Sequence, residues 1–256
     1  MRPKRMPKPP PSLQQRQQEQ IAPAGSPVMF QRWSKLAFAH WTVDPELVQA
    51  SLPERLAVDT FDGQAWIGLV PFFMERIRPR FLPAAPGLSW FLEMNVRTYV
   101  YDRETGRPGV WFYSLDCNQP LAVMIARKFF HLPYFRARMN HRRIGEKIEY
   151  HCQRSGSSAS TPLTYETKSA AECRNAAPGS LEFFLLERYL LFSSRPNGQL
   201  YVGQVNHPPY QFTEIEMQRP LHPALEQAGF PQSKSPSSVL FSPGVDVSVY
   251  PLERCN

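Results

Sequence analysis

One stretch, from Phe91 to Tyr134, limits what this chain can fold into more than any other. It reads FLEMNVRTYV, then a Gly-containing turn, then VWFYSLDCNQPLAVMIARKFFHLPY. Successive side chains on a strand point to opposite faces, so Glu93, Asn95 and Arg97 share one face. Leu92, Met94, Val96 and Thr98 take the other, and all but Thr98 are apolar. Val110 to Leu115 is largely apolar on both faces, as in a strand covered on both sides. Gly106, Arg107, Pro108 and Gly109 supply turn chemistry, so the two segments are expected to pair as a hairpin. An apolar helix follows and stops at Pro133. The polar row has two readings: a solvated sheet face with a Glu–Arg pair, or the polar wall of a pocket.

The runs FLEMNVRTYV, PGVWFYSLD and AVMIARKFFHLPY, followed in order by ERYLLF and NHPPYQF, resemble the YqjF-like family. That family is uncharacterised, mostly bacterial, and placed in the acetoacetate decarboxylase-like superfamily. The resemblance covers roughly residues 30 to 252. It implies an α+β, β-dominated chain: an acetoacetate decarboxylase-like antiparallel β-barrel or cone with a few short helices. Strand-like segments far outnumber helical ones, which agrees with that class. The resemblance to acetoacetate decarboxylase itself is distant. It rests on the pattern strand–Asp–Pro–apolar helix–Arg–aromatic–Pro at Leu115 to Pro133. The decarboxylase carries its Schiff-base lysine directly after that proline, with a second lysine beside it. Here the two positions hold Tyr134 and Phe135. The resemblance therefore implies a binding interior without Schiff-base decarboxylation, because a primary amine must supply the nitrogen.

Glu93 falls where the resemblance puts a pocket glutamate. As catalytic candidates, Glu93 suits a general acid or base if burial raises its pKa, and Tyr134 suits a hydrogen-bond donor to a developing enolate oxygen. The ligand-binding candidates are Asn95, Arg97, Asp116 and Arg127. A planar guanidinium such as Arg97 can hold a carboxylate through two parallel hydrogen bonds. Asp116, at a strand end, is placed to cap the next element or to face a cavity mouth. Arg127 has a structural reading as well, pairing with Asp116 or Glu187 to tie the helix down. Lys128 borders a core stripe of Leu121, Ile125 and Phe129 and reads as exposed. His40 and His207 are available to a site, and His207 also reads as a turn residue before two prolines. Arg78 and Arg80 read as solvated loop residues or as cations at the cavity rim. The cations of FRARMNHRR read as a solvated face.

The rest of the chain sets boundaries. Residues 1–27 are rich in Pro, Gln and Arg with few large apolar groups, and are expected to form a disordered tail. Residues 28–252 are expected to form one domain. Net charge is +7, and Arg2, Lys4, Arg5, Lys8 and Arg16 against Glu19 place more than half of it in the first 26 residues. The domain thus lacks the clustered basic face that nucleic-acid binding needs. Within it, Asp44-Pro45 starts a short helix, and Asp62-Gly63 is expected to join strands Leu56–Phe61 and Ala65–Phe73 as a hairpin. Cys117, Cys152, Cys173 and Cys255 form no CxxC pair and no zinc spacing, so reduced thiols in a cytoplasm are expected. No apolar run is long enough for a membrane helix. No phosphate loop, metal motif or nucleophile–base pair is visible, so no cofactor and no metal are expected. Together these readings point to a domain binding a small organic acid or ketone-like metabolite. Lyase-like or enolising catalysis is left open, as is self-association. The competing class is a structural or interaction protein that keeps the fold without catalysis.

Overall fold

The computed structural model describes residues 8–218, 223–231 and 234–255. Order begins before residue 28. Helix α1 spans Leu13–Gln18, with Ser12 and Gln15 forming a reciprocal capping box. The expected disordered tail is thereby corrected for residues 8–27, while residues 1–7 lie outside the described residues. The reason is ion pairing rather than apolar burial. Arg16 reaches Asp59 through two bonds of 2.6 and 2.7 Å, and Arg107 reaches Glu19 through two of 2.8 and 2.7 Å. The side-chain amide of Asn206 also donates to Gln20 O, and the main-chain N–H of Lys8 donates to Arg103 O. A segment with few large side chains is held by partners spread over most of the chain.

Strand β1 (Met29–Val43) is followed by α2 (Pro45–Ala50), whose N-cap is Asp44 and whose first turn holds the proline. Strands β2 (Leu56–Val58), β3 (Ala65–Pro79), β4 (Phe91–Asp102) and β5 (Pro108–Cys117) come next, then α3 (Pro120–Phe130). Strands β6 (Tyr134–Ile144), β7 (Lys147–Arg154), β8 (Thr161–Glu166) and β9 (Arg174–Asn175) precede α4 (Leu181–Leu186). The chain continues through β10 (Leu190–Ser194), β11 (Leu200–Asn206), β12 (Gln211–Glu214) and β13 (Met217–Gln218). It ends with α5 (Pro223–Gln227), β14 (Ser238–Val249) and β15 (Glu253–Arg254).

The hairpin read from Phe91–Tyr134 is present: β4 and β5 pair antiparallel, with Glu93 opposite Cys117 and Val100 opposite Gly109. That pairing closes a circuit. From β5 it runs through β10, β11, β14, β1 and β3 back to β4, each hydrogen-bonded to the next. A closed circuit leaves none of its members as a bare edge. Strands β6, β7 and β8 leave it where β6 runs parallel to Leu115–Cys117, and they form a second layer. The alternation of β4 now has its cause. Leu92, Met94 and Val96 pack outward in one core with Tyr150, Cys152 and Leu163 of the second layer, and with Leu225 and Phe230. The inner face of the circuit carries a different core, built from Phe38, Val70, Phe72, Phe91 and Val247 and closed at one side by Val123 of α3.

Two expectations about elements are corrected. Strand β2 does not pair with β3 across Asp62-Gly63. It pairs with β4, Leu56 opposite Asp102, because β1 and β4 already occupy both edges of β3. The Asp62-Gly63 turn exists, with φ of 49° and 76°, but closes only a single bridge between Phe61 and Gln64. On α3 the stripe expected at Leu121, Ile125 and Phe129 is inward only in part: Leu121 and Ile125 border the interior and Phe129 does not. Val123 is the buried residue, whereas Leu121 and Phe129 are 40% and 60% exposed.

Candidate functional site

Because the outer face of β4 is sealed by the second layer, its inner row projects into the circuit. Glu93, Asn95 and Arg97 all line a cavity of about 460 Å³. Its remaining walls are mostly apolar, among them Val70, Phe72 and Phe91 from the strands and Ile125 and Phe130 from α3. Tyr134 closes one side. Leu82 and Leu88, in the loop between β3 and β4, and Leu121 of α3 also line it and are more than a third exposed, which marks the mouth. Arg97, only partly buried, lies four residues further along β4 from this mouth than Glu93, its guanidinium beside Phe38 and Tyr99. At about 3.4 Å per residue, Glu93 and Arg97 stand roughly 13 Å apart along the strand.

Glu93 is fully enclosed, and the Tyr134 hydroxyl donates to its Oε2 at 2.8 Å. Burial pushes its pKa up to about 8; the bond from Tyr134 opposes the shift, and the charge of Asp116 adds to it. At pH 7 Glu93 is therefore a neutral carboxylic acid. Burial, together with the nearby glutamate, pushes the Tyr134 phenol upward, so Tyr134 also keeps its proton.

Arg97 makes no ion pair with Glu93. Its Nη2 donates to Leu185 O at 3.2 Å and to the Tyr99 hydroxyl at 3.5 Å, and its buried Nε has no hydrogen-bond partner. The guanidinium lies over the rings of Phe38 and Tyr99, at 5.4 and 5.7 Å. Among the described residues, no carboxylate is within ion-pair reach of it. The Oδ1 of Asn95 is likewise buried without a partner. Behind Arg97, the Tyr99 hydroxyl donates to Leu185 O at 2.9 Å, which leaves it to accept from His40 Nε2 at 2.7 Å. Burial and the charge of Arg97 push the His40 pKa down, and burial takes His207 down to about 4; both are neutral imidazoles.

Asp116 and Arg127 do not join this group. Asp116 is held by Arg154 through two bonds of 2.7 and 2.9 Å, behind the cavity wall. Arg127 is exposed, and its Nε donates to the main-chain O of Tyr134 at 2.6 Å. It pairs with neither Asp116 nor Glu187; Glu187 instead accepts from the Tyr189 hydroxyl and from Tyr210 N. Lys128 is exposed, its ammonium over the Phe129 ring. Arg78 and Arg80 lie over Phe30 and Phe81. Tyr99 was missed in the sequence, although the alternation that selects residues 93, 95 and 97 reaches it at the next step. Among the described residues there is no cluster fit to hold a metal ion, and no helix long and apolar enough to cross a membrane.

A β-dominated α+β chain built this way has the fold of the acetoacetate decarboxylase-like proteins. It superposes on an acetoacetate decarboxylase-like enzyme from Sphingomonas wittichii RW1 with a TM-score of 0.61 at 15% identity, covering 92% of this chain and 97% of the other. Against acetoacetate decarboxylase from Legionella pneumophila the TM-score is 0.62 at 14% identity, covering 91% and 88%. Against the enduracididine biosynthesis enzyme MppR complexed with pyruvate it is 0.60 at 12% identity, covering 91% and 92%. At these identities the likeness concerns the fold. The family follows from sequence: residues 30–246 match the model of DUF2071, described as an uncharacterized conserved protein, and the chain belongs to that family. It is 37% identical over 240 residues to the uncharacterized protein YqjF of Bacillus subtilis (strain 168), covering 93% of this chain and 97% of that one.

Proposed function

We propose that the cavity inside the strand circuit, read as a barrel, binds a small organic acid or ketone-like metabolite, with Arg97 as its carboxylate partner. The observation that carries this reading is Arg97 itself. A guanidinium lines a largely apolar cavity, and no carboxylate of the described residues neutralises it. A cation that faces an apolar cavity without a carboxylate partner is suited to an anionic ligand, which would complete the site. Asn95, with its free Oδ1, sits between Arg97 and Glu93 and can accept from a ligand hydroxyl or amide. One structural relative is described as complexed with pyruvate, which agrees with an acid ligand.

Schiff-base chemistry is not part of the proposal. Tyr134 stands where the decarboxylase pattern has its lysine, and no lysine of the described residues lines the cavity. Glu93 and Tyr134 hold protons next to the bound molecule, so general-acid or enolising chemistry is what they can offer. The four cysteines are free thiols, consistent with a reducing cytoplasm.

The test is a thermal-shift screen of small carboxylates on the parent and on Arg97→Lys, which keeps the charge but loses the fork geometry. An acid that stabilises the parent and not the variant, while the unliganded melting temperatures agree, is the expected result. Absence of any shift in both proteins favours the non-catalytic structural reading. Borohydride reduction in the presence of acetoacetate should leave no covalent adduct, whereas stoichiometric labelling of a lysine overturns the assignment.

A further inference from the structure

We infer that the acid this cavity takes is an amphiphile, a carboxylate carrying an extended hydrocarbon body, with its head on Arg97 and its tail leaving between Leu88 and Leu121. This rests on the acid-binding reading above and specifies the ligand class.

Three observations lead to it. The first is size. A cavity of about 460 Å³ has room for roughly 15 water-sized groups at about 30 Å³ each. A three-carbon oxo acid would fill less than half of it and leave the rest of an apolar chamber without contacts, which costs dispersion and packing. The second is the layout of polar groups. The charged ones, Glu93 and Arg97, both lie in the β4 row, Gln31, Ser89 and Gln119 add neutral polar groups elsewhere, and the rest of the lining is mostly apolar, including Val70, Phe72, Phe91, Ile125 and Phe130. A ligand complementary to such a chamber has one polar end and a long apolar flank. The third is the mouth. Leu82, Leu88 and Leu121 line the cavity and yet are 57%, 47% and 40% exposed, and Phe81 beside them is 87% exposed. A polar molecule held wholly inside gains nothing from an apolar rim. A hydrocarbon chain passing out through it covers those side chains.

The direction is set by the separation along β4. Arg97 lies further along β4 from the exposed leucines than Glu93 does, and its side chain reaches towards Tyr99. With the head group there, the chain runs past Asn95. Glu93 and Tyr134, roughly 13 Å nearer the mouth, face the body of the ligand rather than the carbon next to its carboxylate.

The experiment is isothermal titration of the full chain with acetate, pyruvate, hexanoate, octanoate, decanoate and decan-1-ol. Affinity is expected to rise about fourfold per added methylene from hexanoate to decanoate, the equivalent of about 0.8 kcal/mol each. Decan-1-ol should bind at least tenfold more weakly than decanoate. Leu121→Asp, at an exposed rim position that leaves the core intact, should weaken decanoate and leave acetate unaffected. If pyruvate or acetate binds as tightly as decanoate, the acid cavity stands and the amphiphile is wrong. If decan-1-ol matches decanoate, the head-group assignment to Arg97 is wrong. If no acid of any length binds, the acid-binding reading falls with it.

Discussion

The Tyr134 hydroxyl reaches Glu93 Oε2 at 2.8 Å across an intervening strand. Strand β5 carries β4 on one edge and β6 on the other, with Cys117 opposite Glu93 and Leu115 opposite Tyr134. Tyr134 thus touches the one carboxyl group that the described residues place in the cavity lining. Arg127 holds the main chain of Tyr134 from outside. The phenol donates a hydrogen bond to a buried acid.

Glu93→Gln should change how stability depends on pH. The native pKa of Glu93, about 8, lies above its ordinary value of 4.5. The native state then holds a proton that the unfolded chain has released. The favourable contribution is complete below about pH 4.5 and declines as pH rises through the folded pKa near 8, at up to about 1.4 kcal/mol per pH unit. Urea unfolding of parent and variant should give similar differences near pH 4.5 and a variant increasingly favoured towards pH 8. Parallel curves across that window would show that Glu93 is not protonated in the native protein.

Tyr134→Phe removes the hydrogen bond that opposes the effect of burial at Glu93. The Glu93 titration, followed by carboxyl carbon NMR, should move further upward from its parent value. The expected stability cost is about 0.5–1.5 kcal/mol, the usual net worth of one such bond. A downward move would mean that Tyr134 does not donate to this carboxyl.

At Asp59 the two partners predict an ordering of mutant stabilities. The carboxylate is wholly buried between Arg16 and Arg188, at 2.6 and 2.8 Å. Asp59→Ala strands the buried Arg188 and should cost about 3–5 kcal/mol. Arg16→Ala leaves Asp59 paired with Arg188 and should cost less, about 1–3 kcal/mol. Deleting residues 1–21 should cost at least as much as Arg16→Ala, because the Arg107–Glu19 pair goes too. An unchanged melting temperature after that deletion would overturn the docked arrangement of the segment.

Gly109→Ala tests the closure of the circuit. A Cβ there would lie 2.8 Å from Leu190 O and 2.8 Å from the Phe192 ring, where β5 meets β10. Overpacking of this kind costs about 1–3 kcal/mol. Chemical denaturation should register that loss, and a variant as stable as the parent would show that β10 yields readily.

How much of this was legible depends on the range of the interactions. The β4 row and its hairpin partner were readable because alternation and turn chemistry act within a few residues. Whether that row was a solvated face or a pocket wall was not, since the answer lay in the second layer, at Tyr150 and Leu163. The pairing of Asp116 with Arg154 was not legible, because the two are 38 residues apart. The Asp62-Gly63 turn was read well as a turn and wrongly as a hairpin, because strand partners are chosen by which edges stay open. In residues 8–27 composition misled: a few ion pairs can order a segment that has almost nothing apolar to bury.

The docking of α1 also imposes an order on folding. In synthesis Arg16 emerges early, whereas Arg188, which shares Asp59 with it, and Asn206, which binds Gln20, come among the last quarter or so of the chain. The α1 segment thus completes its contacts only once residues up to 186 positions further on are available. Until then its cations wait in solvent while Asp59 lacks its second neighbour, and contacts separated by 186 residues must form before the clasp shuts.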